Sequence, residues 1–213
     1  MTSTASGMGI RRAARTDHYP LVNLLTDAFH DGPVADWLVP DQSARRTVYR
    51  DYFRIWTEHA LEYGIVDTVR AGAEIAGVAL WYDLRDPMPA PDEGGRLAAA
   101  CDRWWHRFDL LADTFAEHHP TWPHYYLAFL AVDPRWQGQG IGSALLRYHH
   151  THLASLALPA YLEASNSRNR ALYQRHGYHT DGPVHLPEGG PPIWPMHLHP
   201  PEAPPTDDNG AGW

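Results

Sequence analysis

Apolar positions along the chain follow two periods, and their alternation lays out an ordered series of elements. The run Ile10–Ala13 predicts a strand, after which Thr16 or Asp17 is placed to cap a helix. Within that helix Leu21, Leu24, Leu25, Ala28 and Phe29 recur with helical spacing. "HDGPVADWLVPD" reads as a loop or broken helix. Ser43 is expected to cap a second helix reaching about Glu62, with Val48, Tyr52, Ile55, Trp56 and His59 on one side. "IVDTVRAGAEIAGVALWYD" predicts two strands around a turn at Ala71–Gly72. The proline-rich break "PMPAPDEGG" leads into a helix expected over Arg96–His119, with Trp104, Trp105, Phe108, Leu111 and Phe115 as its apolar positions.

"HYYLAFLAV" is apolar almost throughout, as a central strand is. Asp133–Gln137 predicts a turn, Gly140–Ala157 a helix, and "AYLEAS" another strand. A short helix over Arg168–His176 is ended by Gly177. Strands near Tyr178–Val184 and Ile193–Leu198 are split by "PEGGPP". The order predicts one α/β domain over 1–199, a mixed sheet with local antiparallel pairs, followed by a Pro/Asp/Gly-rich tail over 200–213.

Composition narrows the function classes. The chain has 213 residues, 44% of them hydrophobic, with nine Trp and eleven Tyr, enough for a sizeable core. A net charge of −8 argues against general nucleic-acid binding and against an anionic membrane surface. Cys101 is the lone cysteine, so no internal disulfide forms, which fits a reducing compartment. The first residues lack the basic and apolar regions of a signal peptide, and no apolar run approaches the roughly 20 residues that span a bilayer. A cytoplasmic protein with no nucleic-acid or membrane partner is expected. Fifteen His are present without HExxH or a Cys/His ligand set, so no metal is expected and His149, His150 and His152 are read as solvated or packed.

The chemistry concentrates in "AVDPRWQGQGIGSALL", where Gly138, Gly140 and Gly142 join a strand to a helix. First-turn N–H groups lack backbone partners, the helix dipole adds positive charge, and missing Cβ atoms let a phosphate approach. A P-loop is excluded because Gly142 is followed by Ser143 and Ala144 without Lys. A dinucleotide fingerprint would need its third glycine at Ser143 and a tight turn where Asp133–Gln137 intervene, and too little chain follows Glu163. Coenzyme A is the third option.

Here the sequence resembles the GNAT superfamily of N-acetyltransferases, whose signature Gln/Arg-x-x-Gly-x-Gly/Ala is matched by Gln137, Gly138, Gln139, Gly140, Ile141 and Gly142. A second block, "YLEASNSRNRALYQRHGY", resembles that family's later strand, Asn-containing loop and Tyr-bearing helix, and its spacing is most similar to the puromycin N-acetyltransferase branch. The resemblance implies a mostly antiparallel central sheet with two splayed parallel strands and helices on both faces. It implies acetyl-CoA as cosubstrate. Leu130, Ala131 and Val132 would offer backbone to the pantetheine arm, and the N–H groups from Gln137 to Ser143 would hold the pyrophosphate. Asn166 or Asn169 would hydrogen-bond the arm.

By the same resemblance, a neutral amine attacks the thioester and Tyr173 is the general acid for the thiolate. Glu163 stands first among bases for the ammonium, ahead of His124, His30 and Asp31. A primary amine of a small molecule, antibiotic-like or an aminoacyl nucleoside, is the expected acceptor, with the insert Asp83–His119 covering its site. Some of Trp37, Trp81, Trp104, Trp105 and Trp122 are expected to line that pocket. A protein or peptide acetyltransferase and a non-catalytic acyl-CoA-binding module are the alternatives. The chain is expected as a monomer or homodimer.

Overall fold

The computed structural model describes residues 9–92 and 94–199; the expected tail over 200–213 lies outside them. Strands β1 (Ile10–Arg12), β2 (Ile65–Ala71), β3 (Glu74–Asp83), β4 (Tyr125–Val132), β5 (Ala160–Ala164), β6 (Val184–His185) and β7 (Pro192–Leu198) form one sheet. Its order is β1-β2-β3-β4-β5-β7-β6. Every neighbouring pair is antiparallel except β4 and β5, which run parallel.

The helices are α1 (His18–Phe29), α2 (Pro33–Leu38), α3 (Gln42–Tyr63), α4 (Arg96–Cys101), α5 (Trp105–His118), α6 (Ile141–Leu156) and α7 (Ser167–Gln174). β3 explains their placement. Alternate side chains of a strand face opposite sides. Val78, Leu80 and Tyr82 join a core under α1, α3 and α5, while Ala79 and Trp81 join a second core under α6. The resemblance's expectation of a mixed, mostly antiparallel sheet covered on both faces is met. Gly77 is the point of closest approach on the α6 side. A Cβ there would lie 2.6 Å from Ile141 Cγ2, so glycine lets the start of α6 sit directly on β3.

Three local expectations are corrected. Asp41, not Ser43, caps α3: its Oδ1 accepts from the Ser43 N–H at 3.0 Å and the Ser43 hydroxyl at 2.6 Å. The helix expected over Arg96–His119 is two helices, broken where Asp102 takes φ +47°. The strand expected over Tyr178–Val184 reduces to a single bridge, His179 to His197, and the two residues of β6. Pro183 supplies no N–H to a ladder there, and Thr180 instead closes a turn with Gly182.

Candidate active site

β4 and β5 pair only at Tyr125↔Ala160 and Tyr126↔Tyr161, although β4 runs on to Val132 and β5 to Ala164. The two strands start together and then part, opening a gap in the middle of the sheet. The β3–β4 register slips by one residue between Leu80↔Phe129 and Trp81↔Leu127, leaving Ala128 as a bulge that re-aims β4 beside the gap.

On one side of the gap lies a cavity of about 630 Å³. Its floor is built where β4 ends. Asp133 accepts from the Arg135 N–H at 2.8 Å to cap a short 3₁₀ turn over Pro134–Trp136. The Arg135 guanidinium holds the Asp133 carboxyl below its usual range. Gly138 and Gly140 then take φ +76° and +83°, and Gly140 is the N-cap of α6 with no side-chain cap bond. The first N–H groups of a 16-residue helix therefore point at the cavity uncapped.

Of the twelve residues expected at the coenzyme, Leu130, Ala131, Val132, Gln137, Gly138, Gly140, Ile141, Gly142, Ser143, Asn166 and Asn169 line this cavity, while Gln139 is exposed outside it. Two side chains have local duties. The Gln137 side-chain amide donates to the Val132 carbonyl at 3.2 Å. Asn166 caps α7, accepting from the Asn169 N–H at 2.9 Å. Arg168 and Arg175 also line the cavity and were not anticipated. With Leu172 they stand at i, i+4 and i+7, one face of a helix, which is the signal in the sequence that finds them.

Across the gap lies a second cavity of about 570 Å³, walled by α1, α3, α5 and β4. Its wall is aromatic. Phe53 and Trp56 meet Phe129 edge-on at 5.4 and 5.5 Å, and Tyr52 packs on Phe108 at 4.9 Å. The insert does cover this space, through Phe108, Leu111 and Phe115. The tryptophans expected there do not reach it. Trp81 faces α6 and stacks on His149 at 4.1 Å, Trp37, Trp104 and Trp105 are outside the lining, and Trp122 borders a separate cavity. Trp56 lines it instead.

Two acidic side chains, Asp31 and Glu163, line this cavity. Asp31 is at its rim, on a loop fixed by buried Arg45, whose guanidinium donates to the carbonyls of His30 and Val39 and pairs with Asp36 at 2.9 Å. Glu163 lies deeper, two residues past the last β4–β5 pair, with its side chain 3% exposed. Its Oε2 accepts from the Tyr126 hydroxyl at 2.9 Å, and its buried Oε1 has no hydrogen-bond partner. Oε1 lies 3.9 Å from His119 Nδ1, and His119 Nε2 lies 3.1 Å from His124 Nε2. His124 is buried beneath this pair, and His30 is outside the lining.

Phe29, Asp31, Leu130, Ser165, Asn166, Asn169 and Tyr173 line both cavities. Tyr173 is buried where they meet, and burial with the nearby Glu163 carboxylate pushes its phenol above the ordinary value. It stays protonated throughout the physiological range. Cys101 is buried, its thiol pushed up to about 12 by burial, and touches neither cavity. Among the described residues no group of three or more His, Cys, Asp or Glu is placed to hold a metal, and no helix is long and apolar enough to cross a membrane.

Residues 101–180 match an acetyltransferase (GNAT) domain. An uncharacterized N-acetyltransferase of Schizosaccharomyces pombe is 26% identical over 191 residues, covering 80% of this chain and 74% of its own. The mycothiol acetyltransferase of Propionibacterium freudenreichii is 30% identical over 101 residues, but these are 46% of this chain and 29% of that one. Among solved structures, a Corynebacterium glutamicum protein described as histone acetyltransferase HPA2 and related acetyltransferase superposes with a TM-score of 0.71 at 29% identity, covering 93% of this chain and 98% of that one. A Thermoplasma acidophilum PaiA N-acetyltransferase in complex with coenzyme A shares the fold, with a TM-score of 0.56 at 12% identity over 91% of this chain and 99% of its own.

Proposed function

We propose that this acyltransferase, whose residues 101–180 match an acetyltransferase (GNAT) domain, transfers acetyl from acetyl-CoA to the primary amine of a small molecule with an apolar, aromatic body. The observation that carries this reading is the meeting of two cavities at Tyr173, over strands that part after two residue pairs. The uncapped N–H groups of α6, with Arg168 and Arg175, suit a pyrophosphate. The aromatic cavity suits a flat body, and the buried carboxylate of Glu163 suits its ammonium. An aminoacyl nucleoside with an aromatic aminoacyl group, the class that the puromycin-enzyme resemblance implies, has this shape. Acetylation of such an antibiotic would mask its amine.

In this reading β4 backbone at Leu130–Val132 pairs with the pantetheine arm, and Tyr173 donates to the departing sulfur. A phenol held this far above its ordinary value gives up a proton only as another reaches it, so it serves as a relay and not as a tyrosinate. The chain acts in the cytoplasm, as a monomer or homodimer.

The test follows thiol release from acetyl-CoA with phenethylamines, aminoacyl nucleosides, polyamines and peptides. Turnover is expected to be fastest with the aromatic amines. Acetylation confined to peptides would favour a protein acetyltransferase, and coenzyme binding without turnover on any amine would leave a binding module.

A further inference from the structure

We propose that His119 accepts the proton that the acceptor amine must shed, with Glu163 holding the ammonium beside it and His124 fixing the tautomer of the His119 ring. The proposal rests on the acetyl-transfer reading above and identifies groups on its acceptor side.

The tautomers follow from the hydrogen-bond chain. His124 Nδ1 lies 2.7 Å from the Trp122 carbonyl, which can only accept, so this nitrogen carries a proton. Burial, against the Trp122 hydrogen bond and with His119 adding to it, lowers the His124 pKa and keeps the ring neutral. Its Nε2 is therefore a lone pair. That nitrogen lies 3.1 Å from His119 Nε2, and one proton must sit between them. It belongs to His119 Nε2. A neutral His119 then carries its own lone pair on Nδ1, the nitrogen 3.9 Å from Glu163 Oε1.

The surroundings hold this arrangement. The His119 ring is wedged between Tyr126 of β4 and Tyr161 of β5, with centroids at 4.8 and 4.9 Å. The titratable groups facing it are Glu163 and Tyr161 from β5, Tyr126 from β4 and His124 from the segment before β4. Both tyrosines are held protonated by burial and by the Glu163 charge. Tyr126 occupies Glu163 Oε2 and leaves Oε1 without a donor. A buried carboxylate oxygen with no donor is costly unless a ligand supplies one, and an ammonium does. An ammonium held by Oε1 would have the His119 Nδ1 lone pair beside it as the neighbour able to take its proton.

The protons balance. One N–H bond of R–NH₃⁺ breaks and its proton binds His119 Nδ1. The freed nitrogen pair attacks the thioester carbon, and the C–S bond breaks. The second proton leaves the nitrogen of the adduct and reaches sulfur through the Tyr173 hydroxyl. His119, with its side chain 24% exposed, returns the first proton to solvent.

Two variants test this with a phenethylamine and its β,β-difluorinated analogue, whose nitrogen is largely neutral at pH 7. His119→Gln is expected to lower kcat/KM about 10²–10⁴-fold with the ordinary amine at pH 7. Acetyl-CoA affinity by calorimetry should be unchanged. The deficit should shrink as pH rises and nearly vanish with the fluorinated amine. An equal loss at every pH and with both amines, or an unchanged acid limb, would overturn the proposal. The second arm is independent of turnover. Long-range ¹H–¹⁵N spectra of histidine-labelled protein should show His119 as the Nε2–H tautomer, lost in His124→Phe; an Nδ1–H tautomer in the wild type would overturn the assignment. Wild-type protein that binds acetyl-CoA yet acetylates no amine would instead overturn the reading beneath it.

Discussion

Replacing Gly140 and Gly142 separately by alanine divides the backbone demand of the glycine turn from its space demand. Gly140 is the N-cap of α6 at φ +83°, and a Cβ there meets nothing within 4 Å. Its cost is purely conformational, about 1–2 kcal/mol for a β-carbon in left-handed backbone. A chain of this size loses about 2–4 °C per kcal/mol, so Gly140→Ala should lower Tm by about 2–8 °C. If the peptide rotates to relieve the strain, the first N–H groups of α6 are re-aimed. Acetyl-CoA affinity should then fall by a similar free energy, about 5–30-fold. Gly142 lies inside the first turn, and its φ is not left-handed. Its Cβ would sit 3.5 Å from Leu172 and 3.8 Å from Leu130 and Val132, ordinary contact distances. Alanine there gains about 0.5–1 kcal/mol of helix propensity, so Gly142→Ala should hold or raise Tm. Differential scanning calorimetry with acetyl-CoA titration of both variants is the assay. Equal losses in the two variants, or an unmoved Tm in Gly140→Ala, would refute the argument.

Tyr173→Phe should lower kcat by about 10²-fold or more while leaving acetyl-CoA affinity intact; unchanged turnover would remove the hydroxyl from the reaction. Gly77→Ala should cost about 1–3 kcal/mol, because its Cβ meets the stiff Ile141 Cγ2 at 2.6 Å and α6 must back away; a Tm equal to wild type would show that α6 is not pressed on β3. Stability should fall as pH drops from 6.5 to about 4. His150 is neutral in the fold, its pKa lowered to about 4 by burial and by the neighbouring His176 and His149, so the unfolded chain binds the extra proton in that window. A shift of this size corresponds to about 3 kcal/mol at full effect, and His149 and His124 shift in the same direction. Urea titrations across that window should show the slope, and a flat profile would contradict it.

Much of the scaffold was legible because burial and period agree. β3 and β4 read as strands, and α1, α3 and α6 as helices, since each long pattern presents one face or two to a core. Much of what escaped depends on partners far away in sequence. The Ala128 bulge exists only in the register of β4 against β3. Asp41 wins the cap from Ser43 by accepting from both Ser43 donors, a competition that the one-letter pattern leaves open. His119 read as the last residue of the helix expected over Arg96–His119, and its neighbours are visible only when β5 brings Glu163 beside it and His124 lies beneath. The glycine block and the Tyr173 block could be picked out in the sequence and line one cavity together, whereas Arg168 and Arg175 needed the helix to set them on one face.

The parted strands carry an energetic consequence. Beyond Tyr126, β4 has β3 on one edge and no β5 partner on the other. Exposed strand edges invite pairing and are normally covered or shortened. Here the edge is held open from both ends: Ala128 bends β4 away, and Asn166 starts α7 where β5 would otherwise continue alongside. An extended amide chain laid along Leu130–Val132 would complete the ladder without displacing any protein strand. In the proposed reading the aromatic wall across the gap limits where an amine can lie. In that reading acyl donor and acceptor meet within reach of Tyr173 and Glu163, because a single split in the sheet separates the two cavities that share Tyr173.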